Sequence, residues 1–200
     1  MASMPQQIVS STVKGERRLP PGQYKSDKFP VLDLGIHPPF DADAFRFKVW
    51  GEVENPIDLS WTQFRDLPRV GLRADFHCVT RWSRMELDWE GVHFREVLQR
   101  VRPKPGAKAV MAHSLDGYTT NVLLSDLDDE DVILADTLHG KPLPVEHGGP
   151  VRLLVPKLYG WKSAKFLHGL EFLPEDKPGY WEERGYHMRG EYWAEQRYWD

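Results

Sequence analysis

A chain of 200 residues is long enough for one well-filled domain and short for two independent ones. Hydrophobic residues at 40% and charged residues at 28% supply the apolar surface that folding needs, and a formal net charge of -4 excludes a general nucleic-acid binder, which requires a basic footprint. No apolar run reaches bilayer-spanning length, and residues 1–30 show neither a twin-arginine pair ahead of an apolar segment nor a signal-peptide core, so the expected compartment is cytoplasmic, with no membrane span.

Residues 1–30 mix Gln, Ser, Lys, Arg and Pro without hydrophobic periodicity, which predicts an extended arm over the surface of a single domain spanning 31–200. Phe45, Phe47 and Val49 alternate with Arg46 and Lys48, the pattern of a half-buried strand, and residues 51–56 read as its turn. Ser60 followed by Gln63 resembles a capping box, so a short helix is expected over 61–67, stopped by Pro68. A short strand over 72–79 should deliver Cys78 at its end. Phe94, Val97, Leu98 and Val101 stand at helical spacing and predict a helix over 92–102, ended by Pro103 and Pro105. Segments 108–115, 119–124, 132–135 and 151–155 read as strands joined by Gly- and Asp-rich turns. The sum is an α+β, mainly β domain with mixed sheets and a few short helices. The acidic run 126–131 lacks the glycine and spaced ligands of a calcium loop and reads as a solvated turn. The tail, 180–200, is dense in Trp and Tyr and should pack back onto the domain.

Chemistry concentrates in two stretches. The single cysteine, Cys78, lies in Asp75-Phe76-His77-Cys78-Val79-Thr80-Arg81-Trp82-Ser83-Arg84, where neighbouring cations favour the thiolate that nucleophiles and metals both require. The second runs from His147-Gly148-Gly149-Pro150-Val151-Arg152 to Tyr159-Gly160-Trp161-Lys162-Ser163-Ala164-Lys165. Its glycines let backbone approach a ligand, and Arg152, Lys162 and Lys165 offer charge to an anion in an otherwise acidic protein. Zinc is disfavoured, since no two histidines stand at close ligand spacing. His77 is adjacent to Cys78, yet consecutive strand residues face opposite ways, so a thiol nucleophile would need a distant base. The residues alone leave three readings: a metal-thiolate redox enzyme, a thiol enzyme using Cys78 directly, and a non-catalytic binding module.

Taken together, Phe76-His77-Cys78-Val79-Thr80-Arg81-Trp82-Ser83, Asp116-Gly117-Tyr118-Thr119-Thr120 and the 147–156 and 159–165 stretches resemble, in order and spacing, the molybdopterin-binding domain of the sulfite oxidase family, which includes the catalytic subunit of a bacterial methionine sulfoxide reductase. The resemblance spans residues 29–198. It implies a mixed, mainly β fold in which one cysteine thiolate and a pterin dithiolene hold an oxo-molybdenum centre. By the same resemblance Cys78 is the metal ligand, while His37, Ser114, His147, Arg152, Ser163, Ala164 and Lys165 contact the cofactor. Tyr186 matches the tyrosine that faces the metal, and Arg81 is the candidate for steering substrate. Where sulfite oxidases carry arginines, this chain has Gly35, Trp82 and Ser83, which implies a poor sulfite site and favours a sulfoxide or N-oxide. The resemblance further implies no haem in this chain, a small-molecule substrate and a separate redox partner protein.

Overall fold

In the computed structural model, which describes residues 6–199, two sheets are built from β1 (Gln6–Val9), β2 (Tyr24–Lys25), β3 (Arg46–Gly51), β4 (Ile57–Ser60), β5 (Arg69–His77), β6 (Trp82–His93), β7 (Ala109–Ser114), β8 (Thr119–Leu123), β9 (Ile133–Leu138), β10 (Lys141–Pro142), β11 (Arg152–Leu154) and β12 (Leu167–Leu173). Helices are short: α1 (Ser11–Lys14), α2 (Trp61–Arg65), α3 (Phe94–Val101) and α4 (Leu124–Leu127). One sheet runs β1-β5-β6-β9-β10, with β2 on the start of β6 and β11 on β9; the other runs β4-β3-β12-β7-β8. This is the mainly β, mixed-sheet architecture expected. The first five residues of the expected arm, and Asp200, lie outside the described residues.

Local chemistry explains the elements read correctly. Ser60 closes a complete capping box with Gln63 at the start of α2. The periodic residues Phe94, Val97 and Val101 place one face of α3 in the core, although the strand before it claims Val92 and His93, so the helix begins two residues later than its spacing suggested. Six strands were not anticipated, β1, β2, β4, β6, β10 and β12, and the two longest show why. In β6, Trp82 at an even position and Leu87 and Trp89 at odd positions all enter one apolar cluster, because the pairing with β5 slips by a residue where Glu86 takes a left-handed backbone (φ 54°) and resets the alternation. In β12, His168 and Gly169 interrupt the apolar run; its pairing with β3 on one side and β7 on the other makes it a strand.

The sheets enclose two apolar clusters. One, around Phe47, Phe64, Phe94, Val110 and Phe172, fills the space under α2 and α3. The other, around Leu72, Phe76, Cys78, Trp82, Trp89, Tyr159 and Trp161, lies on the opposite side of the β5-β6-β9 sheet. Strand β9 is wet on neither face: Leu134 enters the first cluster, and Ile133 and Ala135 the second. The arm is more than a surface strap. Its β1 extends the sheet as a parallel edge on β5, and Ser10 is fully buried with its hydroxyl on Asp131. Tyr192 and Arg197 of the tail are buried as anticipated, while Tyr198 and Trp199 stay more than half exposed.

Because Leu134 is fully enclosed by a packed sheet that cannot collapse around a cavity, Leu134→Ala should lower the unfolding free energy by about 2–5 kcal/mol in chemical denaturation. A loss below about 1 kcal/mol would show that β9 is not the central buried strand described.

Candidate active site

The strongest local feature is the turn between β5 and β6. Arg81 N donates to Cys78 O (3.0 Å) and Cys78 N to Trp82 O (2.9 Å), so residues 78–81 form a closed hairpin tip with Arg81 in the left-handed region (φ 77°). The Cys78 side chain turns into the second apolar cluster, leaving the residue 8% exposed with Sγ 3.1 Å from Thr80 Oγ1. Burial pushes the thiol pKa up, with Thr80, Arg152 and Arg197 opposing that rise. His77 is not a base for this thiol. Its ring lies 2.8 Å from Ser83 Oγ and packs on Tyr192, and burial holds its pKa down to about 4.

Cys78 forms part of the wall of a cavity of about 310 Å³. Phe29, Phe76, Trp82, Trp161, Trp181 and Tyr186 supply aromatic walls, and His147, Arg152, Ser163 and Lys165 supply polar lining. Of the residues anticipated from sequence, Cys78, His147, Arg152, Ser163, Lys165 and Tyr186 therefore meet in one place. Ala164 is buried between two of them and donates no side-chain polarity. His37 is exposed outside the lining and reaches the site indirectly, since Asp33 bridges its Nε2 (2.9 Å) and the Nζ of Lys165 (3.1 Å). Ser114 is buried beside the β7–β8 turn with its hydroxyl unpartnered, outside the lining. Arg81 is exposed, its guanidinium lies beside Gly22 of the arm, and it is not a lining residue.

Three placements differ from what composition suggested. The cations whose charge reaches the thiol are Arg152 and Arg197, distant in sequence, and not Arg81 and Arg84. Arg152 is 4% exposed and lies over the Phe76 ring; its Nε donates to Ser163 O and its Nη1 to His147 O, and burial lowers its pKa to about 10. Lys162 turns away from the cavity into a fully buried ion pair with Glu182 (2.5 Å), also contacting Asn121 Oδ1 and the carbonyls of Asn121 and Met188. Glycines 148 and 149 serve packing: a Cβ on Gly148 would lie 2.8 Å from the Lys165 side chain, and one on Gly149 2.2 Å from Leu143 O. Sequence reasoning missed Phe29, which stacks on the His147 ring (4.2 Å between centroids) and meets Phe76 and Trp82 edge-on. A lone phenylalanine in an aperiodic arm carries no signal for that role.

The lining suits an anionic, sulfur-bearing cofactor. It offers a soft thiol, the cationic side chains Arg152 and Lys165, an imidazole kept neutral by burial and Arg152, and the buried Trp82 Nε1–H, which has no partner in the protein. The volume falls within the usual range of cofactor and ligand pockets, about 300–1,000 Å³. Tyr186 lies at the same wall between Trp161 and Trp181, with its phenol pKa raised by burial, so it holds its proton and acts as a donor.

Such a site on such a fold defines a cofactor-dependent redox domain. The family model of the oxidoreductase molybdopterin binding domain matches residues 34–181, and the chain belongs to that family. It is 42% identical to the uncharacterized oxidoreductase YuiH of Bacillus subtilis over 92% of this chain and 93% of that protein. Identity to the protein-methionine-sulfoxide reductase catalytic subunit MsrP of Campylobacter jejuni is 27% over 80% of this chain, which spans 59% of that longer protein. Its fold is similar to that of the sulfane dehydrogenase SoxCD of Paracoccus pantotrophus, with a TM-score of 0.63 at 21% identity, covering 70% of this chain and 40% of that one. The chain is thus an oxidoreductase of the sulfite oxidase family with the fold expected of it.

The buried pair also generates a prediction. Removing one partner strands the other charge in the core, so Lys162→Met should cost about 3–5 kcal/mol by denaturant titration. The double variant Lys162→Met/Glu182→Leu should cost less than the sum of its singles, and strict additivity would show that the two groups do not interact.

Proposed function

We propose that this chain is a molybdenum-cofactor oxidoreductase that moves an oxygen atom from a small sulfoxide or N-oxide, with Cys78 as the protein's ligand to the metal. The observation that carries this reading is the cavity itself: one buried thiol, aromatic walls and the cations Arg152 and Lys165 line one space. When bound, the cofactor supplies the two-electron exchange of an oxygen atom. The chain's own residues do the rest. His147, Arg152, Ser163 and Lys165 hold the anionic and polar parts of the cofactor, with Ala164 giving backbone contacts and His37 and Ser114 acting from just behind the lining. Arg152 does this from a frame of two backbone carbonyls, so its guanidinium is preorganised.

Tyr186 keeps its proton and donates a hydrogen bond to the substrate oxygen. The aromatic walls exclude water and accept an apolar substituent. Overall a sulfoxide takes two electrons and two protons and leaves as a sulfide and water, with the electrons supplied by a separate redox protein. Arg81, exposed beside the turn, is placed to meet an approaching substrate or partner before the cavity is entered.

Charge favours a neutral substrate over sulfite. The cations of the described lining, Arg152 and Lys165, already bond to carbonyls and to Asp33, and the carboxylates Asp33 and Asp116 line the same space. Each missing charge-assisted hydrogen bond to an oxyanion forfeits about 1.5–3 kcal/mol, so two or more lost contacts weaken sulfite binding by about a hundredfold or beyond. The thiol-enzyme reading fits less well, because the thiol is buried and the neighbouring imidazole is engaged with Ser83.

Protein purified from a molybdenum-replete host should contain near-stoichiometric molybdenum. It should also reduce small sulfoxides with an artificial donor at least ten times more efficiently than it oxidises sulfite with an artificial acceptor, following the tenfold per 1.4 kcal/mol relation. Absence of molybdenum would sink the cofactor assignment; sulfite turnover at about 1–10³ per second would sink the substrate assignment alone.

A further inference from the structure

Gln23 in the arm and Arg197 in the tail, 174 positions apart in sequence, converge on the turn that bears Cys78. Gln23 Nε2 donates to Cys78 O at 2.9 Å, sharing that carbonyl with Arg81 N. Arg197 Nη1 donates to Val79 O at 2.6 Å, while its Nη2 reaches Pro21 O at 3.3 Å and its guanidinium lies 4.8 Å from the centre of the Tyr159 ring. Both side chains are buried, at 9% and 7% exposure. Glu195, 3.8 Å from Nη2, is the carboxylate facing this guanidinium.

Burying an arginine is costly unless its donors are used, and here Nη1 is used on the backbone beside the thiol and Nη2 on the arm, while Nε is left without a hydrogen-bond partner. We infer that Arg197, with Gln23, is a positioning residue for Cys78: the clamp holds the hairpin tip so that the thiolate stays aimed into the cavity. This rests on the reading of Cys78 as the metal ligand. Neither residue lines the cavity, so their contacts act through the turn, and the Arg197 charge adds its own pull on the thiolate. A non-glycine residue in the left-handed region, such as Arg81 at the end of this tip, is strained and persists only where its surroundings hold it, which pinning two successive carbonyls of the turn helps to do. The clamp thereby ties to the Cys78 turn the same arm and tail that supply Phe29, Trp181 and Tyr186 to the cavity wall.

The test compares full-length Arg197→Met, Arg197→Lys and Gln23→Leu with Arg189→Met. Arg189 anchors the same tail through a bidentate pair with Asp126, away from the turn. Two quantities are read: amide hydrogen exchange over 78–82 in cofactor-free protein, and the rate at which the holoprotein loses molybdenum on dialysis. Arg197→Met should speed exchange at the turn beyond what its Tm explains, and should speed metal loss by about 10–100-fold, the usual effect of removing a residue that orients a ligand. Arg197→Lys, which can keep the bond to Val79 O, should fall between, and Arg189→Met should lower Tm without either change. Equal behaviour of Arg197→Met and Arg189→Met, or unchanged exchange at the turn, overturns the inference. Should Arg197→Met fail to fold, Arg197→Lys and Gln23→Leu decide by the same exchange criterion. A wild-type protein that holds no molybdenum defeats the cofactor reading alone, because the exchange measurement still decides whether the clamp exists.

Discussion

The structure turns on how one thiol is carried. A cysteine on a regular strand alternates with its neighbours and would share the mobility of whatever loop follows it, whereas Cys78 sits one residue past β5 in a tip closed by its own N–H and C=O. Those two bonds orient the side chain into an apolar layer, and everything around the site is arranged against that layer. The long β5–β6 hairpin supplies the stiffness. The Arg152 segment and the 159–165 segment bring charge to the same cavity, and the arm contributes Phe29 to the wall.

The energetic logic separates cost from use. Burial raises the thiol's pKa and lowers those of Arg152, Lys165 and His147, so each charged form is disfavoured by the cavity that contains it. On the proposed reading these penalties would offset one another once a metal and an anionic cofactor completed the site, because the thiolate would then face a cation and the cations an anion. Asp33 shows the same principle within the protein: its carboxylate engages Lys165 and His37 and has its own pKa lowered by those contacts despite burial.

Much of this was legible in sequence, for identifiable reasons. The capping box of α2, the helical spacing of α3 and the alternation in β3 are local signals, and local signals survive tertiary folding. The Cys78 and Arg152 stretches were readable because cations and a lone thiol are rare together in an acidic chain. What was hidden is long-range. Strand β12 with its internal Gly169 exists through its two neighbours, and β6 changes phase at Glu86. Lys162 looked like a cofactor contact because spacing cannot reveal that Glu182, twenty positions on, returns to meet it. Arg197 and Gln23 gave no signal at all, since a side chain that donates to backbone carbonyls leaves no pattern of residue types.

The central claim is that Cys78 binds the metal, and the most direct measurement is the number of sulfur scatterers around molybdenum by X-ray absorption in wild-type protein and in Cys78→Ser. The account predicts one sulfur fewer in the variant with the fold retained, because a hydroxyl is a poor substitute for a thiolate ligand. An identical sulfur count in the two proteins would contradict it.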